Sequence, residues 1–119
     1  MKTDVPTEDE EQIVVVHYLE MKGYPFSHIP NSTFTKSWKV KMRNKMLGVR
    51  PGLPDLFCII KNKPVWIEMK RKKGGVLSKY QEQWVEDLSK AGMRVWVCRG
   101  ADEAIEQIKK LEEIENGRH

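Results

Sequence analysis

The sequence has few cysteines, no long hydrophobic run and almost no acidic residues in its middle. Its longest purely aliphatic run, Ile13 to Val16, is far shorter than the roughly 20 residues that a membrane-spanning helix needs. Cys58 and Cys98 both lie in apolar segments, which favours two buried free thiols over a disulfide. The first twelve residues are acidic and contain no apolar stretch, so we expect neither a secretion or transit signal nor a membrane partner.

Several kinds of site are also missing. The sequence has no Cys-x-x-Cys pair, and the spacing of its 3 histidines is not that of zinc ligands. It has neither a Gly-rich phosphate loop with a following Lys nor a Gly-x-Ser-x-Gly turn. These absences argue against a zinc site, a P-loop nucleotide hydrolase and a serine hydrolase, and we expect no nucleotide cofactor.

Charge is present in quantity but unevenly distributed. The 119 residues suit a single domain, predicted as 1–119 with a core of about 7–111 and a tail of 112–119. The formal net charge is only +4, but the stretch from Met21 to Gln81 holds fourteen Lys and Arg residues and two acids. Those acids are Asp55 and Glu68. So basic a centre suggests a polyanionic partner and makes these two acids conspicuous.

Capping boxes, turn residues and apolar periodicity predict the order α-β-α-β-β-α-β-α, an α/β fold with one mixed β-sheet flanked by helices. The loop Asn31-Ser32-Thr33 is interpreted as a turn and cap cluster. The predicted elements are a helix over 7–22 ending at Gly23, a strand over 24–29, a helix over 36–47 ending at Gly48, strands over 56–60 and 65–69, a helix over 78–91 with Gly92 as its C-cap, a strand over 93–98, and a helix from Asp102, its cap, to Leu111.

The two central strands are expected to form an antiparallel hairpin, whose turn decides which residues face each other. A turn at Lys61-Asn62 places Asp55 opposite Glu68, whereas a turn at Asn62-Lys63 places Asp55 opposite Lys70. In both registers these three side chains share one sheet face, because side chains alternate with period 2. A three-residue loop would break this arrangement.

Two carboxylates at this distance suit a divalent cation. Directly opposed Cβ atoms lie about 5 Å apart, so the two groups repel each other unless a cation joins them. Oxygen ligands favour Mg²⁺ or Mn²⁺ over zinc. A lysine beside them can orient a water molecule or neutralise a phosphoryl oxygen. Taken alone, the same residues are also compatible with a turn and a solvated strand face.

The strings around these residues resemble a known family. Pro54-Asp55 followed by Glu68-Met69-Lys70 is the PD-(D/E)xK nuclease signature, and the ordered set of strings is similar to the VRR-NUC (virus-type replication-repair nuclease) family, stand-alone type. The resemblance extends from about Thr7 to Leu111. The matching strings are Gly48–Leu56, Ile67–Lys70, Leu77-Ser78 with Gln81 and Trp84, Cys98-Arg99-Gly100 before Ala104, and Thr7-Glu8 with Gln12 and Tyr18-Leu19.

This resemblance implies a restriction-endonuclease-like core and metal-dependent phosphodiester cleavage. It makes Asp55 and Glu68 metal ligands, with the Met69 carbonyl as a third ligand and Mg²⁺ or Mn²⁺ as the cofactor. Lys70 becomes the catalytic lysine, and Gln81 matches a glutamine on the helix that follows the hairpin.

The resemblance also implies a contribution from the first helix. Glu8 matches the family's first-helix glutamate, and Gln12 matches its companion one turn later. Glu11 competes with Glu8 for that role, because several acids crowd the same turn.

Nine basic residues of the central stretch are expected to contact DNA phosphates. Trp38 is expected either in the core or stacked on a splayed base, and Trp66, Trp84 and Trp96 in the core or a dimer interface. The expected DNA-binding residues are Lys36, Lys39, Lys41, Arg43, Lys45, Arg50, Arg71, Lys72 and Lys73.

By analogy with stand-alone family members, we expect a homodimeric, structure-selective DNA endonuclease that cleaves four-way (Holliday) junctions. We expect it in the cytoplasm of a bacterial host, either associated with the nucleoid or encoded by a phage. The alternatives are a nuclease for flaps or other branched DNA that needs a partner, a restriction-type nuclease, and a DNA-binding module without activity.

Overall fold

The structure is a computed structural model that describes residues 5–30 and 35–117. The predicted order of elements is confirmed, and the predicted loop at Asn31-Ser32-Thr33 lies outside the described residues. The elements are α1 (Glu8–Lys22), β1 (Phe26–His28), α2 (Trp38–Leu47), β2 (Leu56–Ile60), β3 (Lys63–Lys70), α3 (Lys79–Lys90), β4 (Arg94–Arg99) and α4 (Ala101–Asn116).

The four strands form one sheet in the order β1-β2-β3-β4. β1 and β3 pair antiparallel with β2, whereas β3 and β4 are parallel and are connected through α3. Lys61 and Asn62 form the hairpin turn with φ of 51° and 66°, the left-handed conformation that a two-residue hairpin turn requires. Leu56 therefore pairs with Ile67, which is the first of the two predicted registers.

The core lies on one face of this sheet, between the strands and the helices α1 and α4. Alternate side chains of β2 and β3, such as Leu56 and Ile67, are fully buried there against Val15, Leu19 and Ile108. The opposite face carries Phe57 and Trp66, which stack in a tilted pair and are only partly buried. The sheet therefore has one closed face and one partly open face, and Glu68 belongs to the partly open one by the alternation of β3.

Most predicted boundaries differ from the observed ones by one or two residues, but α4 differs by more. Asp102 does not cap this helix: Gly100 is the N-cap residue and makes no side-chain cap hydrogen bond. The helix continues to Asn116, so the boundary predicted at Leu111 falls inside it. The reason is packing, because Leu111 and Glu112 are buried against the rest of the molecule. At the end of α3, Ala91 rather than Gly92 occupies the C-cap position.

Helix α2 stands apart from the body of the protein. It begins after the cap residue Ser37 and ends at Gly48, and none of its residues is buried. Trp38, one of whose two expected positions was the core, is 72% exposed, and Met46 is 83% exposed. The expectation of core packing for Trp38 is therefore wrong, since α2 hardly contacts any other described element.

Both cysteines are buried and free, as expected from their apolar neighbours. Burial raises the pKa of each thiol to about 12. Within the described parts of the chain, no helix combines the length and apolarity needed to cross a membrane.

Candidate active site

The loop that carries Asp55 is held against α3 by two close contacts. Gly52 has a φ of +99°, and a Cβ at this position would lie 2.7 Å from the main-chain carbon of Tyr80. The indole Nε1 of Trp84 donates a hydrogen bond of 2.9 Å to the carbonyl of Pro51. These contacts with α3 fix the conformation of the loop that leads into β2, and they thereby position Asp55 at its end.

Asp55 and Glu68 come together at the end of the hairpin. The carboxylate Oδ2 of Asp55 accepts a hydrogen bond of 2.7 Å from the main-chain N–H of Met69. Glu68 is only 1% exposed. Its burial and the neighbouring Asp55 carboxylate raise the pKa of Glu68 to about 8, although Lys70 opposes this shift. Two acids are thus held together at a place where ionising both is unfavourable.

Lys70 lies beside this pair and is itself 5% exposed. Its Nζ is 3.4 Å from Oε2 of Glu68 and 3.1 Å from Oε1 of Gln81. The amide Nε2 of Gln81 donates a 3.1 Å hydrogen bond to the same oxygen of Glu68, so Gln81 bridges the acid and the lysine. Gln81 is also the N3 residue of the capping box whose N-cap is Ser78, and this cap holds its side chain at the site.

The first helix sends its side chains in three different directions. Glu8 reaches the site, with Oε2 3.9 Å from Nζ of Lys70. Glu11 turns towards α4 instead, where Oε1 accepts a 2.9 Å hydrogen bond from the main-chain N–H of Ala101. Gln12 contacts the ring of His28. Of the two competing acids, the structure therefore brings Glu8 to Lys70 and uses Glu11 as the missing cap of α4.

Two comparisons with known proteins identify the family of this chain. The sequence profile of the VRR-NUC domain matches residues 5–102. The chain belongs to the VRR-NUC family. A solved structure described as a VRR_NUC domain protein is 28% identical, with a TM-score of 0.72 over 89% of this chain and 88% of that chain. No protein of curated function matches the sequence significantly.

Family membership gives this VRR-NUC domain a nuclease-type function, for which DNA is the substrate. The mixed four-stranded sheet and its four helices, within the described residues, match the α/β nuclease fold of the family. Nucleases of this family are generally dependent on divalent metal ions.

The residues present at the site fit such a metal ion. Oε1 of Glu68 is buried and, among the described residues, has no hydrogen-bond partner. Since the N–H and C=O of one strand residue point to the same side, the Met69 carbonyl faces the side of Asp55. The described part of the VRR-NUC domain has no cluster of three or more His, Cys, Asp or Glu side chains able to hold a metal. The donors that would suit such an ion are the carboxylates of Asp55 and Glu68 and the main-chain carbonyl of Met69.

The basic residues predicted to bind DNA fall into two groups. Arg71, Lys72 and Lys73 follow Lys70 directly in an exposed loop, where Lys72 lies 3.6 Å from Asp102. Arg50 donates hydrogen bonds to main-chain carbonyls at the end of α2. The others are exposed on α2 or just before it: Lys36, Lys39, Lys41, Arg43 and Lys45.

His28 was not among the predicted site residues, although the structure places it against Asp55. Its Nδ1 lies 2.9 Å from the carbonyl oxygen of Asp55. The sequence signal was weak, because the pairing of β1 with β2 joins segments nearly thirty residues apart.

Proposed function

We propose that this VRR-NUC domain is a metal-dependent, structure-selective DNA endonuclease whose preferred substrate is a four-way junction. The observation that carries the proposal is the meeting of Asp55, Glu68 and Lys70 at one buried site with an unpartnered carboxylate oxygen. A basic loop of three residues follows this site directly, as expected where a phosphate backbone must approach.

In this proposal Asp55, Glu68 and the Met69 carbonyl hold Mg²⁺ or Mn²⁺. When bound, the ion polarises the scissile phosphate and lowers the pKa of a coordinated water molecule. Asp55 is prepared for this role by the Met69 N–H, which fixes one of its oxygens. Glu68 must release its proton to bind the ion, which its raised pKa makes dependent on pH.

Lys70 has the position of a group that acts on the phosphate. Gln81 and Glu68 hold its ammonium group close to the carboxylates, so it meets a phosphoryl oxygen or the attacking water without first reorganising. Oε2 of Glu8 also lies 3.9 Å from Nζ of Lys70 and adds a second negative charge beside the ammonium group. Attack of a water oxygen on phosphorus, in line with the P–O3′ bond, breaks that bond; the 3′-oxygen leaves as a hydroxyl group after taking up a proton, and the phosphate stays on the 5′-oxygen.

The exposed face of α2 supports the proposal of a homodimer. Trp38, Met42 and Met46 recur every fourth residue and form one apolar strip that residues 5–30 and 35–117 leave uncovered. A two-fold dimer would present two active sites to a branched, two-fold substrate.

A panel of labelled substrates tests the proposal. The wild-type domain is incubated with four-way junctions, flaps, single strands and linear duplexes, in Mg²⁺, in Mn²⁺ and in EDTA. We expect metal-dependent cleavage that is fastest on the junction. Faster cleavage of flaps would contradict the four-way junction as the preferred substrate and indicate another branched DNA. Site-specific cleavage of linear duplexes would indicate a restriction-type enzyme. Binding without cleavage would contradict the catalytic proposal.

A further inference from the structure

Asp55 immediately precedes β2, outside the residues that pair with β3. The register of that pair stops at Leu56. The carbonyl oxygen of Asp55 is instead contacted from the edge strand, by the N–H of Ile29 at 2.7 Å and by Nδ1 of His28 at 2.9 Å. The peptide that bears this carboxylate is therefore held by β1.

The contact with Asp55 is a hydrogen bond in one tautomer of His28. A carbonyl oxygen only accepts, so this hydrogen bond needs the ring hydrogen on Nδ1. The amide Nε2 of Gln12 lies 3.1 Å from the same Nδ1. In this tautomer the amide oxygen of Gln12 must face Nδ1 instead and share its hydrogen, because the nitrogen and oxygen of an amide occupy interchangeable positions. Nε2 then remains as an acceptor, and the side chain of His28 is exposed.

We propose that His28 is a positioning residue that orients Asp55 for metal binding, an inference that rests on the proposed function. Its Nδ1–H holds the main chain of Asp55 from one side while the Met69 N–H holds the carboxylate from the other. Gln12 fixes the imidazole plane. Helix α1 thus supports the metal ligands through Gln12 and His28 as well as through the contact of Glu8 with Lys70.

Two isosteric substitutions separate the roles of the two ring nitrogens. The amide nitrogen of Asn occupies the position of Nδ1, so His28→Asn keeps the donor to Asp55, whereas His28→Gln extends to the position of Nε2. We expect His28→Ala and His28→Gln to weaken Mn²⁺ binding about tenfold or more, as loss of an outer partner of a ligand does. His28→Asn should restore affinity to within about threefold of wild type.

The affinity for Mn²⁺ is measured by isothermal titration calorimetry on the protein without DNA. Binding of a junction in EDTA should be unchanged in all variants, since the donor acts on Asp55 and not on phosphate. His17→Ala, at an exposed histidine of α1, is the matched control and should behave as wild type. If His28→Ala does not fold, Gln12→Ala removes the support of the ring and should weaken Mn²⁺ binding in the same direction.

The outcomes distinguish this inference from the function on which it rests. If wild type binds Mn²⁺ and cleaves DNA but His28→Ala binds Mn²⁺ equally well, the positioning role is wrong and the nuclease remains. Rescue by Gln but not by Asn would also overturn it, because Nε2 would then be the working atom. If wild type itself binds no Mn²⁺, both the inference and the metal-dependent function fail.

Discussion

At the scale of single residues, the central feature is the buried acid Glu68, whose Oε1 has no hydrogen-bond partner among the described residues. Burial and Asp55 raise the pKa of Glu68 to about 8, so in the metal-free protein this side chain keeps a proton that the unfolded chain releases near 4.5. A cation reverses this preference, because it stabilises the charged form.

The raised pKa predicts how stability depends on pH. Between 4.5 and about 8 the folded protein holds more protons than the unfolded chain, so the free energy of unfolding should fall as pH rises through this window. Denaturant unfolding in EDTA measures the slope. Glu68→Gln should flatten this slope. In a second series with Mn²⁺ in place of EDTA, the free energy of unfolding should fall less at high pH. Equal slopes in wild type and Glu68→Gln would contradict the raised pKa.

Lys70 should contribute to cleavage and not to affinity for DNA. Lys70 is only 5% exposed and its ammonium group is held by Gln81, so we expect other cations to make most contacts with the phosphates of bound DNA. We expect Lys70→Ala to slow cleavage about 100-fold or more while junction binding in a gel-shift assay stays unchanged. Lys90→Ala, at an exposed lysine of α3, should change neither. Equal loss of cleavage and binding in Lys70→Ala would argue against the role.

The acids and the lysine were predictable because they follow from the local alternation of one hairpin. Gln81 was predictable as a capping residue, since capping boxes are local too. His28 and the capping role of Glu11 were not, because each depends on a contact between segments distant in sequence. Trp38 shows the complementary limit, since its apolar character does not say whether the chain itself covers it.

At the scale of elements, the site depends on how the loop before β2 meets α3. The main chain of Gly52 approaches Tyr80 so closely that no side chain fits, and its φ of +99° disfavours any other residue. The same loop is tied to α3 by Trp84 and leads directly to Asp55. A local disturbance here should therefore affect both folding and the proposed metal site.

Gly52→Ala tests this dependence against a matched glycine. Gly23 also has a positive φ, of +76°, but a Cβ there meets nothing within 4 Å. Gly23→Ala should cost only backbone strain, roughly 1–2 kcal/mol of unfolding free energy. Gly52→Ala should cost about 1–3 kcal/mol more by overpacking and should also weaken Mn²⁺ binding. Equal effects of the two substitutions, in urea unfolding and Mn²⁺ calorimetry, would contradict the close approach.

The cap of α4 shows why helix ends are hard to place from sequence alone. Asp102 looked like the cap because acids are common near helix starts. The observed helix begins after Gly100, and the side chain that receives the Ala101 N–H comes from Glu11 on α1. A cap supplied across the fold joins two elements, and no local pattern marks it.

At the scale of the whole molecule, the protein has a closed core on one sheet face and a basic helix, α2, whose apolar strip is left uncovered by the described residues. The core accounts for the stability of the sheet with α1 and α4, but α2 adds no buried residue to it. An uncovered Trp38 at 72% exposure beside exposed methionines is typical of an interface rather than of a free surface.

The oligomeric state tests the role of α2. Light scattering should give wild type about twice the chain mass of 13.9 kDa. A double variant, Met42→Glu with Met46→Glu, should be monomeric, since two carboxylates would be buried in the interface. Ile114→Glu, at an exposed apolar position on α4, should remain dimeric. A double variant that keeps the dimer mass would exclude α2 as the contact.

The central claim is that Glu68, together with Asp55, holds the cation that makes cleavage possible. The most direct measurement is the rate of cleavage of a labelled four-way junction in Mg²⁺ by wild type, Glu68→Gln and the exposed control Glu86→Gln. We expect wild type and Glu86→Gln to cleave at equal rates and Glu68→Gln to be at least about 100-fold slower. Cleavage by Glu68→Gln at the wild-type rate would contradict the account.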